Sequence, residues 1–365
     1  MKAVVLDAER VLTYRDVPDP EPFGQRPVRV RVGAVGVCGS DVLRFGKGKA
    51  YHYPLVMGHE FSAIVDEVPP GSRFAPGDRV AVFPCLPDPR DPMARIGEWV
   101  LSSGYDYFGS RRDGAMQEIL WVPEDNLLPL PPGTPLVHGA VVEPAAVALH
   151  GILKVQIPPH ASALVIGAGP IGALAAQWLR IRGVDRVLVA DVDERKRAIM
   201  ASLGFEVIDA AAGDTVATAR ELTGGRGVDI AVEATGIPLT AVQAITAAAM
   251  MGQVVLMGDV GGDVTLPREL ISSVIRRELR IYGTWNAKIM PPGHSDWDMV
   301  IARLGKELQV APIISHTPHL DEAPAVLADL ADRRIWYNKV VFTVAQEAVA
   351  EAAEAAEAAA REGLQ

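Results

Sequence analysis

The segment ASALVIGAGPIGALAAQWLRIRG, residues 161–183, begins with a short apolar run and breaks at a glycine cluster. It then continues with apolar side chains at helical spacing until Gly183 closes it. A nearly continuous apolar run of that length reads as a strand buried on both faces. Gly167, Gly169 and Gly172 therefore form G-x-G-x-x-G between a strand and a helix, with Pro170 and Ile171 inside the turn. Each glycine serves a mechanical purpose, in turn a tight bend, close approach of backbone to a pyrophosphate, and close helix–strand contact. The free N–H groups of the helix start then favour an anion.

The same alternation continues downstream. RVLVAD (186–191) reads as a strand and ERKRAIMASLG as a helix closed by Gly204. GVDIAVEAT (227–235), GQVVLMGDV (252–260) and LRIYGTW (279–285) read as further strands, and the alanine-rich run 239–251 as a buried helix. Strand–helix alternation predicts a doubly wound parallel sheet of the Rossmann type. Asp191 ends the second strand, where a carboxylate accepts hydrogen bonds from ribose hydroxyls and repels a 2′-phosphate. With Asp193 beside it, NAD is expected rather than NADP, Arg195 being the one reservation.

Residues 1–150 follow a different rule. VRVRVGAVGV (28–37), FSAIVDEV (61–68) and DRVAVFP (78–84) are short β-branched runs broken by Gly and Pro. They predict a mostly antiparallel, barrel-like sheet. Residues 287–344 are expected to return to this first domain and complete it. Residues 345–365, rich in Ala and Glu, read as an exposed helix or frayed tail without an assigned function.

The chain has 365 residues, 49% hydrophobic and 22% charged, with a formal net charge of −10. The length suits two domains. The negative balance argues against nucleic acid or an anionic membrane as partner. No stretch reads as a membrane span or a signal peptide. With Cys38 and Cys85 the only cysteines, a disulfide framework is excluded and a reducing compartment, the cytoplasm, is expected.

Cys38 in GVCGSD, His59 and Glu60 in MGHEF, and Glu143 in VVEPAA offer a thiolate, an imidazole and carboxylates. Three such ligands with one open position is the pattern of catalytic zinc. Singly, each has a plainer reading: a buried small apolar residue, a structural histidine, a solvated loop acid. Their coexistence with a dinucleotide motif points to hydride transfer from an alcohol.

At these residues the chain resembles the zinc-containing medium-chain dehydrogenases. The likeness rests on C-G-S-D (38–41), G-H-E (58–60), G-D-R-V (77–80), D-G-x-x-x-E (113–118) and E-P (143–144), collinear from residue 1 to about 344. Many alcohol dehydrogenases carry cysteine where Glu143 stands; sorbitol and related polyol dehydrogenases carry glutamate. HYPLVMGHEFSAIVD (52–66), YDYFGSRRDGAMQE (105–118), and GTWN (283–286) with the HSDWD that follows it point to members acting on polyol phosphates of the galactitol 1-phosphate kind.

The resemblance implies an α/β chain in two parts. They are a GroES-like, mostly-β catalytic domain (1–150, completed by 287–344) and an NAD-binding Rossmann domain (151–286). It makes Cys38, His59 and Glu143 the ligands of one catalytic zinc per subunit. Glu60 becomes an exchangeable fourth ligand or a partner behind the ligands.

Two departures matter. The four positions that usually bear the cysteines of a structural zinc hold Asp88, Asp91, Ala94 and Ser102, so no structural zinc is expected. Packing, with prolines at 84, 87, 89 and 92, is expected to hold that lobe, and Cys85 to be a core residue. The position of a relay histidine holds Leu43.

The expected mechanism passes the alcohol proton through the Ser40 hydroxyl to water near Glu60 or Glu143, or by the cofactor ribose. Hydride goes to NAD and a ketose or ketose phosphate results. Arg44, Lys47, Lys49, Arg111, Arg112 and Lys288 are candidate phosphate contacts. Other readings keep the mechanism but take an unphosphorylated polyol, 2,3-butanediol or threonine, or give a non-enzymatic NAD-binding protein. LRIYGTW, as an apolar edge strand, predicts a homodimer or homotetramer.

Overall fold

The computed structural model describes residues 1–362, with side chains described to 355. It divides into two units, Met1–Glu143 with Lys288–Gly305 and Ile314–Gln365, and Pro144–Ala287 with Lys306–Ile313. The division between Glu143 and Pro144 falls inside helix α4 (Val142–Ile152). Among the described residues no helix is long and apolar enough to cross a membrane.

In the first unit, β1 (Lys2–Ala8) and β2 (Val11–Asp16) form a small sheet with β4 (Leu55–Val56). The main sheet runs β10 (Leu127–Pro129), β6 (Arg79–Val82), β5 (Glu60–Glu67), β3 (Pro27–Gly36), β18 (Lys339–Thr343), β17 (Ile314–His316), with β9 (Ile119–Pro123) also on β3. Alternation explains β3: Val28, Val30 and Val32 are buried, while Arg29 pairs with Asp66 and Arg31 with Glu347. Helices α1 (Gly39–Lys47) and α11 (Ala323–Ala331) pack on the core around Phe61, Phe108, Phe342 and Met116, and α3 (Leu136–Gly139) and α10 (Asp296–Arg303) also belong to this unit.

The lobe between β7 (Cys85–Leu86) and β8 (Asp106–Tyr107) contains α2 (Pro92–Arg95). Packing alone does not close it. Asp91 Oδ1 caps α2 by accepting from Met93 N at 2.8 Å. Its Oδ2 accepts from Ser103 N and Oγ at 2.9 and 2.7 Å. One carboxylate thus ties the two ends of the lobe together. Cys85 is fully buried, and burial pushes its thiol up to about 12, which makes it inert.

In the second unit six parallel strands lie in the order β13 (Glu206–Asp209), β12 (Arg186–Asp191), β11 (Ser162–Ile166), β14 (Val228–Glu233), β15 (Ala248–Leu256), β16 (Arg280–Gly283). They alternate with α5 (Pro170–Ile181), α6 (Glu194–Ser202), α7 (Thr215–Leu222), α8 (Pro238–Ala247) and α9 (Arg268–Arg276). β11 is buried along its whole length, as a central parallel strand must be. The alanine-rich run does not remain helical to its end: α8 stops at Ala247 and β15 begins at Ala248, leaving Met250 and Met251 exposed.

The Ala/Glu-rich tail forms α12 (Gln346–Glu362), and it is docked rather than free; its last residues, 363–365, lie outside the described residues. Ala348 is fully buried. Glu351 pairs with Arg79 and accepts from Leu136 N, the first residue of α3, at 2.8 Å. Glu351→Ala removes a cap worth about 1 kcal/mol and a partly exposed ion pair worth at most about 1 kcal/mol. The melting temperature is expected to fall by a few degrees with zinc content unchanged; an unaltered melting curve would mean the tail merely rests on the surface.

Candidate active site

Cys38 caps the N-terminus of α1, directly after β3 ends. Glu60 opens β5, with His59 just before it, and lies opposite Gly36 of β3. A side chain at Gly36 would overlap the Glu60 carboxylate, so glycine there makes room for it. As a result the ligand atoms of Cys38, His59 and Glu60 lie within 4.8 Å of one another. His59 and Glu60 are buried, 5% and 2% exposed, and Cys38 is half-buried.

Glu143, in the first turn of α4, stands beside this cluster rather than in it. Its Oε1 accepts from the Tyr107 hydroxyl at 3.2 Å. Burial, and then the neighbouring Glu60 carboxylate, push Glu143 up to about 7.

Three residues that sequence reasoning gave no role complete the site. Lys339, the first residue of β18, is 2% exposed; its Nζ donates to Val37 O at 2.9 Å and pairs with Glu60. Burial alone would lower its pKa, but Glu60 and Cys38 outweigh that and hold the amine charged. A lysine opening a wholly buried strand, K-V-V-F-T, was the available signal. Asp41 is fully buried; it accepts from Cys38 N at 3.0 Å and faces His59 Nδ1 at 3.6 Å. Tyr107 lies in the YDYFGS stretch and packs its ring 5.7 Å from that of His59.

This donor set fits zinc. Thiolate, imidazole and carboxylate are its preferred ligands. With His59 Nδ1 turned to Asp41, the other ring nitrogen is left to ligate. A +2 ion and Lys339 would balance the charges of Cys38, Glu60 and Glu143 in a place where water cannot.

Ser40, two residues from Cys38, is half-buried, and its Oγ accepts from Arg44 Nη1 at 2.9 Å. Leu43 is 43% exposed. Most of the candidate phosphate contacts are already engaged. Arg111 stacks 4.1 Å from Tyr105, Arg112 stacks 3.7 Å from Phe23, and Lys288 pairs with Glu98.

In the second unit the glycine corner sits between β11 and α5, beside the point where strand order reverses, the usual place for a ligand in an open α/β sheet. Gly167 has φ +105°, and a side chain at Gly172 would collide with the Gly167 carbonyl. Gly169 caps α5, Pro170 is in its first turn, and Ile171 follows. The Asp191 carboxylate accepts from Ala168 N at 2.6 Å and Asp193 N at 2.8 Å, so it fixes the corner itself.

Residues 24–132 match the family description "Alcohol dehydrogenase GroES-like domain" and residues 170–306 match "Zinc-binding dehydrogenase". The chain is 32% identical over 337 residues to galactitol 1-phosphate 5-dehydrogenase of Escherichia coli strain K12, covering 91% of this chain and 96% of that relative. The crystal structure of galactitol-1-phosphate dehydrogenase from Escherichia coli superposes with TM-score 0.87 at 31% identity, over 94% of this chain and 100% of that one. A zinc-binding dehydrogenase of Sinorhizobium meliloti 1021, solved bound to NADP, gives TM-score 0.84 at 30% identity, over 94% and 98%.

Two measurements test the charge balance. Burial would lower His59, but Asp41 and Cys38 outweigh it and raise it well above its ordinary value. The metal-free site therefore holds protons on His59 and part of Glu143 at neutral pH, and a dication must displace them. Zinc uptake by stripped protein is expected to release protons, with affinity rising from pH 6 to 8; calorimetry in buffers of different ionisation enthalpy that finds no release would refute this. Lys339→Met leaves buried carboxylates uncompensated, a cost of about 3–5 kcal/mol, and is expected to lower the melting temperature of the metal-free protein.

Proposed function

The chain belongs to the zinc-dependent alcohol dehydrogenases of the medium-chain type, oxidoreductases acting on alcohols, and from that premise we propose that it oxidises a secondary alcohol of a polyol or polyol phosphate with NAD. The observation that carries the reading is the cluster of Cys38, His59 and Glu60, with Glu143 beside it, in a chain that also holds the glycine corner. Zinc, when bound, supplies Lewis acidity toward the alcohol oxygen, and the nicotinamide accepts hydride.

The protein's own residues do the rest. Cys38, His59 and Glu143 hold the metal, and Glu60 either joins them or stays with Lys339. Ser40 takes the alcohol proton and passes one on to water. The backbone N–H groups of the Gly167–Gly172 corner receive the pyrophosphate, and Asp191 the ribose hydroxyls. Arg197 is tied to Asp209 at 2.7 Å and to Asp191 O at 2.9 Å, so it offers little to a 2′-phosphate, which supports NAD. β16 lies at the edge of its sheet with Ile281 41% exposed, and pairing with a second copy there would give a homodimer.

A phosphorylated substrate is favoured by the likeness to galactitol 1-phosphate 5-dehydrogenase across 91% of the chain. An unphosphorylated polyol is the second reading, because Arg111, Arg112 and Lys288 already have internal partners. NADH formation by zinc-loaded enzyme on galactitol 1-phosphate, galactitol, sorbitol, threonine and 2,3-butanediol separates them. Highest kcat/KM is expected for the phosphorylated polyol, and with NAD over NADP. Equal turnover of an uncharged polyol would sink the phosphate assignment, and turnover of none after zinc loading would sink the polyol reading.

A further inference from the structure

Ser40 and Arg44 lie one turn apart on α1, so their side chains share a face. Arg44 Nη1 donates to Ser40 Oγ at 2.9 Å and to Asp41 Oδ1 at 3.0 Å. The arginine side chain is 13% exposed, and its Nε is buried without a partner. An unpaired buried donor costs free energy. The pose is therefore held by the two acceptors at Nη1. One of them, Asp41, is fully buried, so the guanidinium charge is already compensated inside the protein. This is not the setting of a surface cation open to an anion.

The chemistry of the hydroxyl sets what Arg44 can do. A serine oxygen has two lone pairs and one proton. Arg44 fills one lone pair, which leaves one to accept from a substrate alcohol and turns the O–H away from the guanidinium. A guanidinium keeps its protons at any working pH, so no proton passes on to Arg44. Leu43, the neighbouring residue, has neither donor nor acceptor.

We propose that Arg44 is a positioning residue for the reaction: a charge-assisted hydrogen bond fixes the Ser40 hydroxyl and sets the direction in which it takes and releases a proton. The balance closes without Arg44. The alcohol proton goes to Ser40 Oγ while the proton Ser40 carried leaves to water. The inference rests on the role given to Ser40 above.

Ser40→Ala, Arg44→Leu, Arg44→Lys and Ser40→Ala/Arg44→Leu are compared as full-length, zinc-loaded enzyme on galactitol and galactitol 1-phosphate. Zinc content and the rate of zinc loss to a chelator are followed alongside. Arg44→Leu is expected to lower kcat by about 10- to 100-fold, the worth of one charge-assisted hydrogen bond. The loss should be alike for both substrates and persist when rates are compared at equal zinc occupancy, with KM little changed. Arg44→Lys should recover part of the loss, and on the Ser40→Ala background Arg44→Leu should cost little more.

An equal cost on both backgrounds overturns the proposal, as does a rise in KM confined to the phosphorylated substrate, which would mark a phosphate contact. Full turnover in Ser40→Ala removes the relay and this proposal together. Full turnover in Arg44→Leu, with Ser40→Ala impaired, removes only the role of Arg44. If Arg44→Leu does not fold or hold zinc, the same cycle is read with Arg44→Lys, and full turnover there with a lost dependence on Ser40 overturns the proposal.

Discussion

Glu60, Glu143 and His59 are buried beside the half-buried Cys38, and such a cluster is stable only if its charge is answered locally. Lys339 on β18 answers Glu60, and Asp41 on α1 answers His59. The strands are arranged around that need. β3 lies between β5, which brings His59 and Glu60, and β18, which brings Lys339. Its own end delivers Cys38, and its Gly36 leaves space for the Glu60 carboxylate. A main sheet that joins residues near 36, 60 and 339 of the sequence is what allows a buried amine to meet a buried carboxylate.

The dinucleotide corner obeys a steric constraint instead. Gly172 sits against the Gly167 carbonyl with no room for a side chain, which holds α5 close to β11. Asp191 then acts in two ways. Its carboxylate accepts two backbone N–H groups and stiffens the corner, and each oxygen keeps a lone pair with which it could also take up the proposed ribose hydroxyls. A carboxylate held by backbone donors is ordered before any ligand arrives, which lowers the cost of ordering on binding.

Departures from the family pattern are met by local chemistry. In the lobe of residues 85–107, where cysteines would otherwise be expected, the Asp91 carboxylate spans from the start of α2 to Ser103. Beside the candidate metal cluster, Leu43 stands where a histidine would, and Arg44 reaches Ser40 instead. At the end of the chain, Glu347 and Glu351 reach back to Arg31, Arg79 and the start of α3. The first part of a run that looks featureless in sequence is thereby tied to the first unit.

The sequence by itself determined the parallel sheet, because a buried strand, a glycine turn and a helix are local patterns with local causes, and residues 161–183 contain all three. It also determined the candidate ligand types, since Cys38, His59, Glu60 and Glu143 sit in short motifs legible without any fold. Patterning along β3 likewise set which residues face the core. What only the tertiary structure decided is long-range pairing. Lys339 is nearly 280 positions from Glu60, and no spacing rule links them. The docking of α12 is of the same kind, because Glu351 looks solvated until Arg79 and Leu136 are beside it. So is the placing of Glu60 in the compact cluster with Glu143 at its side. Backbone preferences and hydrophobic periodicity act over a few residues and can be read from them. Compensation of a buried charge depends on which distant strand is laid alongside, and that is fixed only when the sheet closes.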